Sequence, residues 1–207
     1  MYRLSVTGDI GLYLECKRCF YLDKVKKIKR PDSIFPSLPS GMDRILKEHF
    51  DRFMLKGEIP PEIREHDHIK ASKLLDDINR LNCWRSKSKG LEYKDQVTQI
   101  ILRGCVDNII KKGQKLIVLD YKTRGYPLRE NTHSYYQVQI DFYNFLLNHN
   151  GYQTEDYALL LFYYPNKVMY TGEVVFDTKL VKIKIDAQKA KQILDGAIST
   201  LQGNLPQ

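Results

Sequence analysis

The spacing of apolar residues changes several times along this chain, and each change marks an element. From about Asp9 to Lys27, the positions Ile10, Leu12, Tyr13, Leu14, Phe20 and Tyr21 form a stripe that predicts a helix with Asp9 as its N-cap. Pro31, Pro36 and Pro39 then impose a loop. Ile45, Leu46, Phe50 and Phe53 line one side of a second helix, from Gly41 to about Leu55, capped by Ser40 and ended by the stretch Gly57–Pro61. Ile69, Leu74, Leu75, Ile78 and Leu81 predict a further helical stretch from about Glu62 to Trp84, and Ser86–Gly90 is a linker with turn chemistry.

Beyond the linker the period shortens to two. A strand is expected near Gln96–Arg103, running into Gly104–Lys122, where two β-branched runs flank Lys112-Gly113-Gln114-Lys115 and predict a tight hairpin. His133–Leu147 returns to helical spacing, with Tyr136, Ile140, Tyr143 and Leu147 on one side and a stop at Asn150-Gly151. Tyr157–Tyr164 is an almost unbroken apolar run, as in a central strand covered on both faces. Pro165-Asn166-Lys167 predicts a turn, followed by strands near Met169–Phe176 and Leu180–Ile185 and a final helix from Asp186 to about Leu201. This order predicts an α/β fold: a mixed β-sheet flanked by helices, with an N-terminal helical region. Residues 1–90 are expected as the helical part and residues 91–207 as the core of one compact domain, a division that suits a 207-residue chain.

The hairpin carries the chemistry. With Gly113 and Gln114 at its tip, Asp107 faces Asp120 across the ladder, and Lys122 shares the face of Asp120 because side chains alternate along a strand. Like charges directly opposite are destabilising, so a fold that keeps both carboxylates beside a lysine points to a divalent cation between them. Hard oxygen ligands suit Mg²⁺ or Mn²⁺. The competing reading is a solvated charged face. Gln139 and Tyr143, four residues apart, share one face of the following helix.

These residues resemble the RecB-like branch of the PD-(D/E)XK nucleases, which includes the CRISPR-associated RecB-like exonucleases. The shared pattern is G-x-x-D, then (D/E)-x-K, then Q-x-x-x-Y, met here as Gly104/Asp107, Asp120/Lys122 and Gln139/Tyr143 in that order. The opening Tyr13–Leu22, YLECKRCFYL, is also similar, so the resemblance covers most of the chain. It implies a restriction-endonuclease-like core and a metal-dependent nuclease acting on DNA, single- or double-stranded, by exonuclease-type chemistry in repair, defence or CRISPR-related processing. Asp107, Asp120 and the backbone carbonyl of Tyr121 would hold the cation, Lys122 would act on the water and the transition state, and Gln139 and Tyr143 would support the site. Relatives carry a histidine ligand on an early helix; the comparable stretch here offers Asp43, Glu48 or His49, with Asp43 in the best-matching context and Glu48 next. Relatives with an iron–sulfur cluster use late cysteines, which this chain lacks.

Composition narrows the picture further. The net charge is +8, and Lys17, Arg18, Lys24, Lys26, Lys27, Lys29 and Arg30 stand close together against a single acid, Asp23. Such a cluster attracts phosphate backbones without reading sequence, or else forms a solvated helix end. Cys16 and Cys19 have metal-ligand spacing, but a tetrahedral site needs four ligands and only Cys83 and Cys105 remain; the hairpin register puts Cys105 opposite Lys122, a poor place to join a distant cluster. The expectation is that Cys16 and Cys19 are semi-buried helix residues. Four cysteines without a visible signal peptide point to a reducing cytoplasm, and no run of about 18 apolar residues predicts a membrane span. The P-loop pattern G-x-x-x-x-G-K-[ST] is missing, so an engine would come from a partner such as a helicase or a CRISPR or repair protein. Two readings stand: a metal-dependent deoxyribonuclease, favoured by the complete Asp107/Asp120/Lys122 set, and a non-catalytic nucleic-acid-binding module of a larger helicase–nuclease or integration complex.

Overall fold

The computed structural model describes residues 2–207 and places the predicted α/β elements in two sheets. Strand β1 (Arg3–Ser5) leads into a π-helical turn, Val6–Ile10, then helices α1 (Gly11–Glu15) and α2 (Lys17–Tyr21) and a second π-helical turn, Leu22–Lys26. The single helix expected from Asp9 to Lys27 is therefore broken. Cys16 is extended (φ −157°, ψ 101°), and its sulfur accepts the Cys19 N–H at 3.1 Å, which restarts the helix. Ser5, not Asp9, is the cap: Ser5 Oγ accepts the Asp9 N–H at 3.1 Å while Asp9 accepts the Ser5 N–H at 2.6 Å.

Helix α3 (Ser37–Lys56) buries Leu46, Phe50 and Met54 and ends where Gly57 turns left-handed at φ +69°. The expected helix from Glu62 to Trp84 is instead four short pieces: α4 (Pro61–Arg64), a 3-10 turn (Asp67–Ile69), β2 (Lys73–Leu74) and α5 (Ile78–Arg85). Ala71 stands at φ +57°, which no helix continues through, and Asp77 starts a new helix by accepting the Arg80 N–H at 2.9 Å. Leu74 and Leu75 are buried, as the stripe requires, but through pairing with β5 rather than through a helix face.

Strands β3 (Leu91–Lys94) and β4 (Ile101–Gly104) pair antiparallel, and β1 pairs with β4 in parallel, giving a three-stranded sheet in the order β1-β4-β3. The expected strand at Gln96–Arg103 starts later, because Asp95 accepts the Thr98 N–H and hydroxyl at 2.8 and 2.7 Å and holds a turn. Residues 105–107 cross to the second sheet, where β5 (Asn108–Lys112) and β6 (Lys115–Thr123) form the hairpin. Its register is the expected one, Asn108 opposite Leu119 and Lys112 opposite Lys115, with Gly113 at φ +60°. The hairpin is shorter than Gly104–Lys122, however. Cys105 lies in the crossing, its thiol 3.4 Å from the Ser86 carbonyl, and is not paired opposite Lys122.

Helix α6 (Gln137–His149) returns the chain, and β7 (Tyr157–Val168) runs parallel to β6 at the centre of the order β2-β5-β6-β7-β8. Pro165-Asn166-Lys167 is a bulge inside β7 rather than a turn; a residue without an N–H fits where the ladder is already interrupted. The turn comes at Met169–Gly172, and β8 (Val174–Lys184) is one strand where two were expected. Asp186 caps α7 (Ala187–Gln202), accepting the Lys189 N–H at 2.9 Å. One continuous apolar core runs from Leu4 to Leu201. Residues before 91 supply β1 and β2, a strand to each sheet, as well as helices.

Gly104 shows how tightly the three-stranded sheet is tied to α6. A Cβ there would lie 2.6 Å from Leu146 Cδ1 and 3.1 Å from the Tyr143 ring. Gly104→Ala should therefore destabilise the fold by about 1–3 kcal/mol, the usual range for overpacking. Urea unfolding checks this; a midpoint unchanged from wild type would refute the close approach.

Candidate active site

Of the sequence-predicted residues, Asp107, Asp120, Lys122, Gln139 and Tyr143 come together around the C-terminal end of β6. Asp120 points from this central strand under α6 and is 1% exposed. Burying a carboxylate costs several kcal/mol unless it is compensated, and here two side chains face it. Gln139 Nε2 donates to Asp120 Oδ1 at 3.1 Å, and Lys122 Nζ lies 2.5 Å from Oδ2. The second contact is an ion pair without hydrogen-bond alignment, so Oδ2 remains a buried oxygen with no directed donor.

Gln139 organises this group. Its oxygen accepts Lys122 Nζ at 3.0 Å, and its nitrogen also donates to the Tyr143 hydroxyl at 2.8 Å. One turn of α6 separates Gln139 from Tyr143, which is why their spacing in the sequence was informative. Burial, with Asp120 and Asp107 nearby, pushes the Tyr143 hydroxyl well above its usual value, so it serves as a neutral hydrogen-bonding partner. The Lys122 ammonium also stands over the Tyr136 ring, 4.7 Å from its centroid.

Asp107 sits one residue outside the β5–β6 ladder. Its Oδ2 accepts the Tyr121 N–H at 3.2 Å, and its backbone carbonyl accepts Arg85 Nε at 2.7 Å. Arg85 is itself clamped by Asp51, whose two oxygens accept Nη1 at 2.9 and 2.8 Å. Lys47 on α3 stands 3.0 Å from Asp107 Oδ1 and donates to Asp43 Oδ2 at 2.8 Å. Burial opposes the charge on Lys47, but Asp107 and Asp43 outweigh it and raise its pKa above the ordinary lysine value. Asp43, expected as a direct ligand, thus reaches Asp107 through Lys47. Glu48 pairs with Arg44 at 2.9 Å and His49 with Glu62 at 2.9 Å, both away from the carboxylate pair.

Lys47 and Arg85 were missed by the sequence reading. The only local signal was that Lys47 follows Asp43 by one helical turn. The segment Lys17–Arg30 is brought to no carboxylate of the site. Lys24 pairs with Asp9 and Asp23, Arg30 with Glu15 at 2.6 Å, and Lys17 stands over Tyr13. The Cys16 and Cys19 sulfurs lie 2.8 Å apart, and the Cys19 contacts, helped by Arg30, lower the Cys16 pKa.

Against these geometries, a comparison with models of protein families gives a match. The model of the PD-(D/E)XK nuclease superfamily matches residues 3–204, nearly the whole chain. The chain belongs to the PD-(D/E)XK nuclease superfamily. Membership implies a nuclease, and the two mixed sheets flanked by helices are consistent with its restriction-endonuclease-like fold. A search of curated proteins gives no match. Members generally use Mg²⁺ or Mn²⁺. The donor set here fits a hard cation: Asp107 and Asp120 offer only oxygen, and Asp120 Oδ2 is a buried oxygen lacking a directed donor. No group of three or more His, Cys, Asp or Glu side chains comes together among the described residues, and a carboxylate pair is what Asp107 and Asp120 would offer an ion. That suits Mg²⁺, which keeps several waters and binds through one or two carboxylates plus phosphate.

The electrostatics lead to a pH test. Burial pushes the Asp120 carboxyl up to about 7; Lys122 pulls it down and Asp107 pushes it up, and burial wins. The folded protein therefore holds this proton where the unfolded chain has released it. The resulting stabilisation is complete below the ordinary carboxylate range and is lost as pH rises through about 7. Metal-free wild type should lose melting temperature between about pH 5 and about pH 8. Asp120→Asn should flatten that slope and gain most at the alkaline end. A steeper slope in the variant would contradict the assignment.

Proposed function

We propose that this protein is a divalent-metal-dependent deoxyribonuclease of the RecB-like branch, working on a DNA strand by exonuclease-type cleavage. The observation that carries the reading is the contact group Asp120–Lys122–Gln139 beside Asp107, which joins three motifs from three elements at one strand end. A bound Mg²⁺ or Mn²⁺ would neutralise charge on the scissile phosphate and make an attacking water more acidic. Asp107, Asp120 and the Tyr121 carbonyl would hold that ion. Lys122 is positioned by Gln139 and Tyr136 to orient the water and to stabilise the negative charge that grows in the transition state. Gln139 keeps the Asp120 carboxylate and the Lys122 ammonium in fixed relation, and Tyr143 fixes Gln139 in turn. Arg85 and Asp51 hold the Asp107 backbone, so this carboxylate does not depend on the ladder for its place. A role in DNA repair, defence or CRISPR-related processing, with a helicase or similar engine as partner, follows from the family likeness.

Cation binding is measured separately from cleavage. A ligand that binds only the native state stabilises it by RT ln(1 + [L]/Kd), about 2.7 kcal/mol at a hundredfold excess over Kd. Mg²⁺ or Mn²⁺ should accordingly raise the melting temperature of wild type, and more at alkaline than at acid pH, because Asp120 must lose its proton. Asp107→Asn and Asp120→Asn should remove most of that response. End-labelled and circular DNA, single- and double-stranded, then serve as substrates. Labelled linear strands should be degraded and circles spared. Lys122→Ala should keep DNA affinity within a few-fold and lower cleavage by about 10² or more, the scale for losing one electrostatic stabiliser. Wild type that binds DNA but cuts none with either metal, indistinguishable from Lys122→Ala, would establish the binding module instead.

The basic segment contributes a different term. Replacing Lys26, Lys27 and Lys29 with Ala should weaken binding while sparing the chemical step under saturating DNA. Each lost phosphate contact should lower the slope of log K against log[salt] by roughly 0.9 on duplex. An unchanged slope in the triple variant would remove this segment from the DNA path.

A further inference from the structure

The loop between Thr123 and Tyr136 holds neither carboxylate, yet both of its ends are fixed to the site. At its start the Arg124 N–H donates to the Tyr163 carbonyl at 2.8 Å, continuing the β6–β7 ladder past Lys122. At its end stands Tyr136, whose ring carries the Lys122 ammonium. Between them Thr132 is buried: its Oγ1 accepts the Arg129 N–H at 2.9 Å, and its own N–H donates to the Arg129 carbonyl at 3.0 Å. The folded loop surrounds an open cavity of about 430 Å³.

The lining of this cavity is unusual for a surface loop. Tyr126 and Tyr135 are 80% and 85% exposed, and both line it. Arg124 and Arg129 line it too, with Glu130 as the only acid. Among the described residues neither arginine is in a salt bridge, whereas most of the chain's other arginines are. Arg124 Nε is buried and has no hydrogen-bond partner. A guanidinium outside any salt bridge keeps its outer N–H donors for an incoming anion, and its fork geometry suits phosphate oxygens. Two exposed phenol rings supply flat apolar faces on which bases stack irrespective of sequence.

We propose that this cavity seats an unpaired stretch of nucleic-acid strand next to the scissile phosphate, with Arg124 and Arg129 on its phosphates and Tyr126 and Tyr135 stacking its bases. The inference rests on the nuclease reading, which puts the scissile phosphate at Asp107, Asp120 and Lys122. It adds the state of the substrate there. A duplex has its base faces covered and could use only the arginines, whereas an unpaired strand can use both kinds of side chain.

The test is fluorescence anisotropy with the full chain and excess chelator, so that binding is read without cleavage. The probes are a short labelled DNA strand, the same sequence as RNA, and a blunt DNA duplex. The unpaired strands should bind more tightly than the duplex. Tyr126→Ala and Tyr135→Ala should each weaken single-strand binding by roughly 5- to 150-fold, the range for losing one stacked base, and leave duplex binding within about twofold. Tyr126→Trp and Tyr135→Trp should restore it. Arg124→Gln and Arg129→Gln should each lower the single-strand salt slope by about 0.7. Tyrosine-dependent binding to either sugar supports the inference, and the tighter of the two identifies the strand. Alanine variants that bind single strands like wild type, or that lose single-strand and duplex affinity equally, overturn it. Tyrosine-dependent binding with no cleavage under Mg²⁺ or Mn²⁺ would keep this surface and remove the nuclease. Metal-dependent cleavage indifferent to both tyrosines would do the reverse.

Discussion

The structure turns on the burial of one carboxylate. Asp120 lies on β6, the central strand of the five-stranded sheet, with β5 on one side and β7 on the other, and α6 closes over it. An isolated ion there would cost several kcal/mol, and the fold answers with one ammonium and one amide rather than with solvent. Those two groups do not cancel the cost, which is why burial still dominates the carboxyl's proton affinity. Lys122 and Gln139 are thus committed to Asp120 before any substrate arrives, and their positions are set by β6 and α6, the rigid elements best able to hold them.

The second carboxylate is held by the opposite strategy. Asp107 lies where the chain leaves one sheet for the other, outside any ladder, and three of its polar groups are tied to three different elements. Tyr121 of β6 donates to its carboxylate, Arg85 of α5 to its carbonyl, and Lys47 of α3 faces its other oxygen. The two carboxylates each face a lysine, one from the same strand and one from a distant helix. A cation entering between them would have to compete with those ammonium groups. Two lysines face three carboxylates here, because Lys47 is shared with Asp43, so the lysines alone do not balance the site and a divalent cation would add the positive charge it lacks.

How much of this could be read from the chain follows from which interactions are local. The hairpin was legible because Gly113 sits between two β-branched runs, and its register then placed Asp120 and Lys122 on one face. Gln139 and Tyr143 were legible because one helical turn joins them. What failed were patterns that several structures satisfy. Ile69, Leu74, Leu75 and Leu81 are all buried at helical spacing, but a left-handed Ala71 and the Asp77 cap divide them among unrelated pieces. Pro165 read as a turn because nothing in the local sequence says that the ladder is bulged there. Parallel pairing of β1 with β4, and the approach of Lys47 and Arg85 to Asp107, join residues far apart in the sequence and leave no periodic trace. Side chains that reach the site from outside its own strands are, for this reason, the part a single sequence conceals.

The distribution of cations makes the same point from the surface. The N-terminal cluster looked like the phosphate-binding feature because its charges are adjacent in sequence, yet Lys24 and Arg30 are spent on Asp9, Asp23 and Glu15. Near the candidate site the pairing differs: Lys47 and Lys122 face carboxylates, while Arg124 and Arg129, among the described residues, are in no salt bridge although Glu130 lines the same cavity. An unpaired guanidinium keeps its full attraction for an incoming anion, and a paired one must first give up its partner. Adjacency in sequence therefore measures how strongly a segment steers a polyanion from a distance, where only net charge counts. Which cations then grip the strand is decided by the acids that the fold leaves beside them.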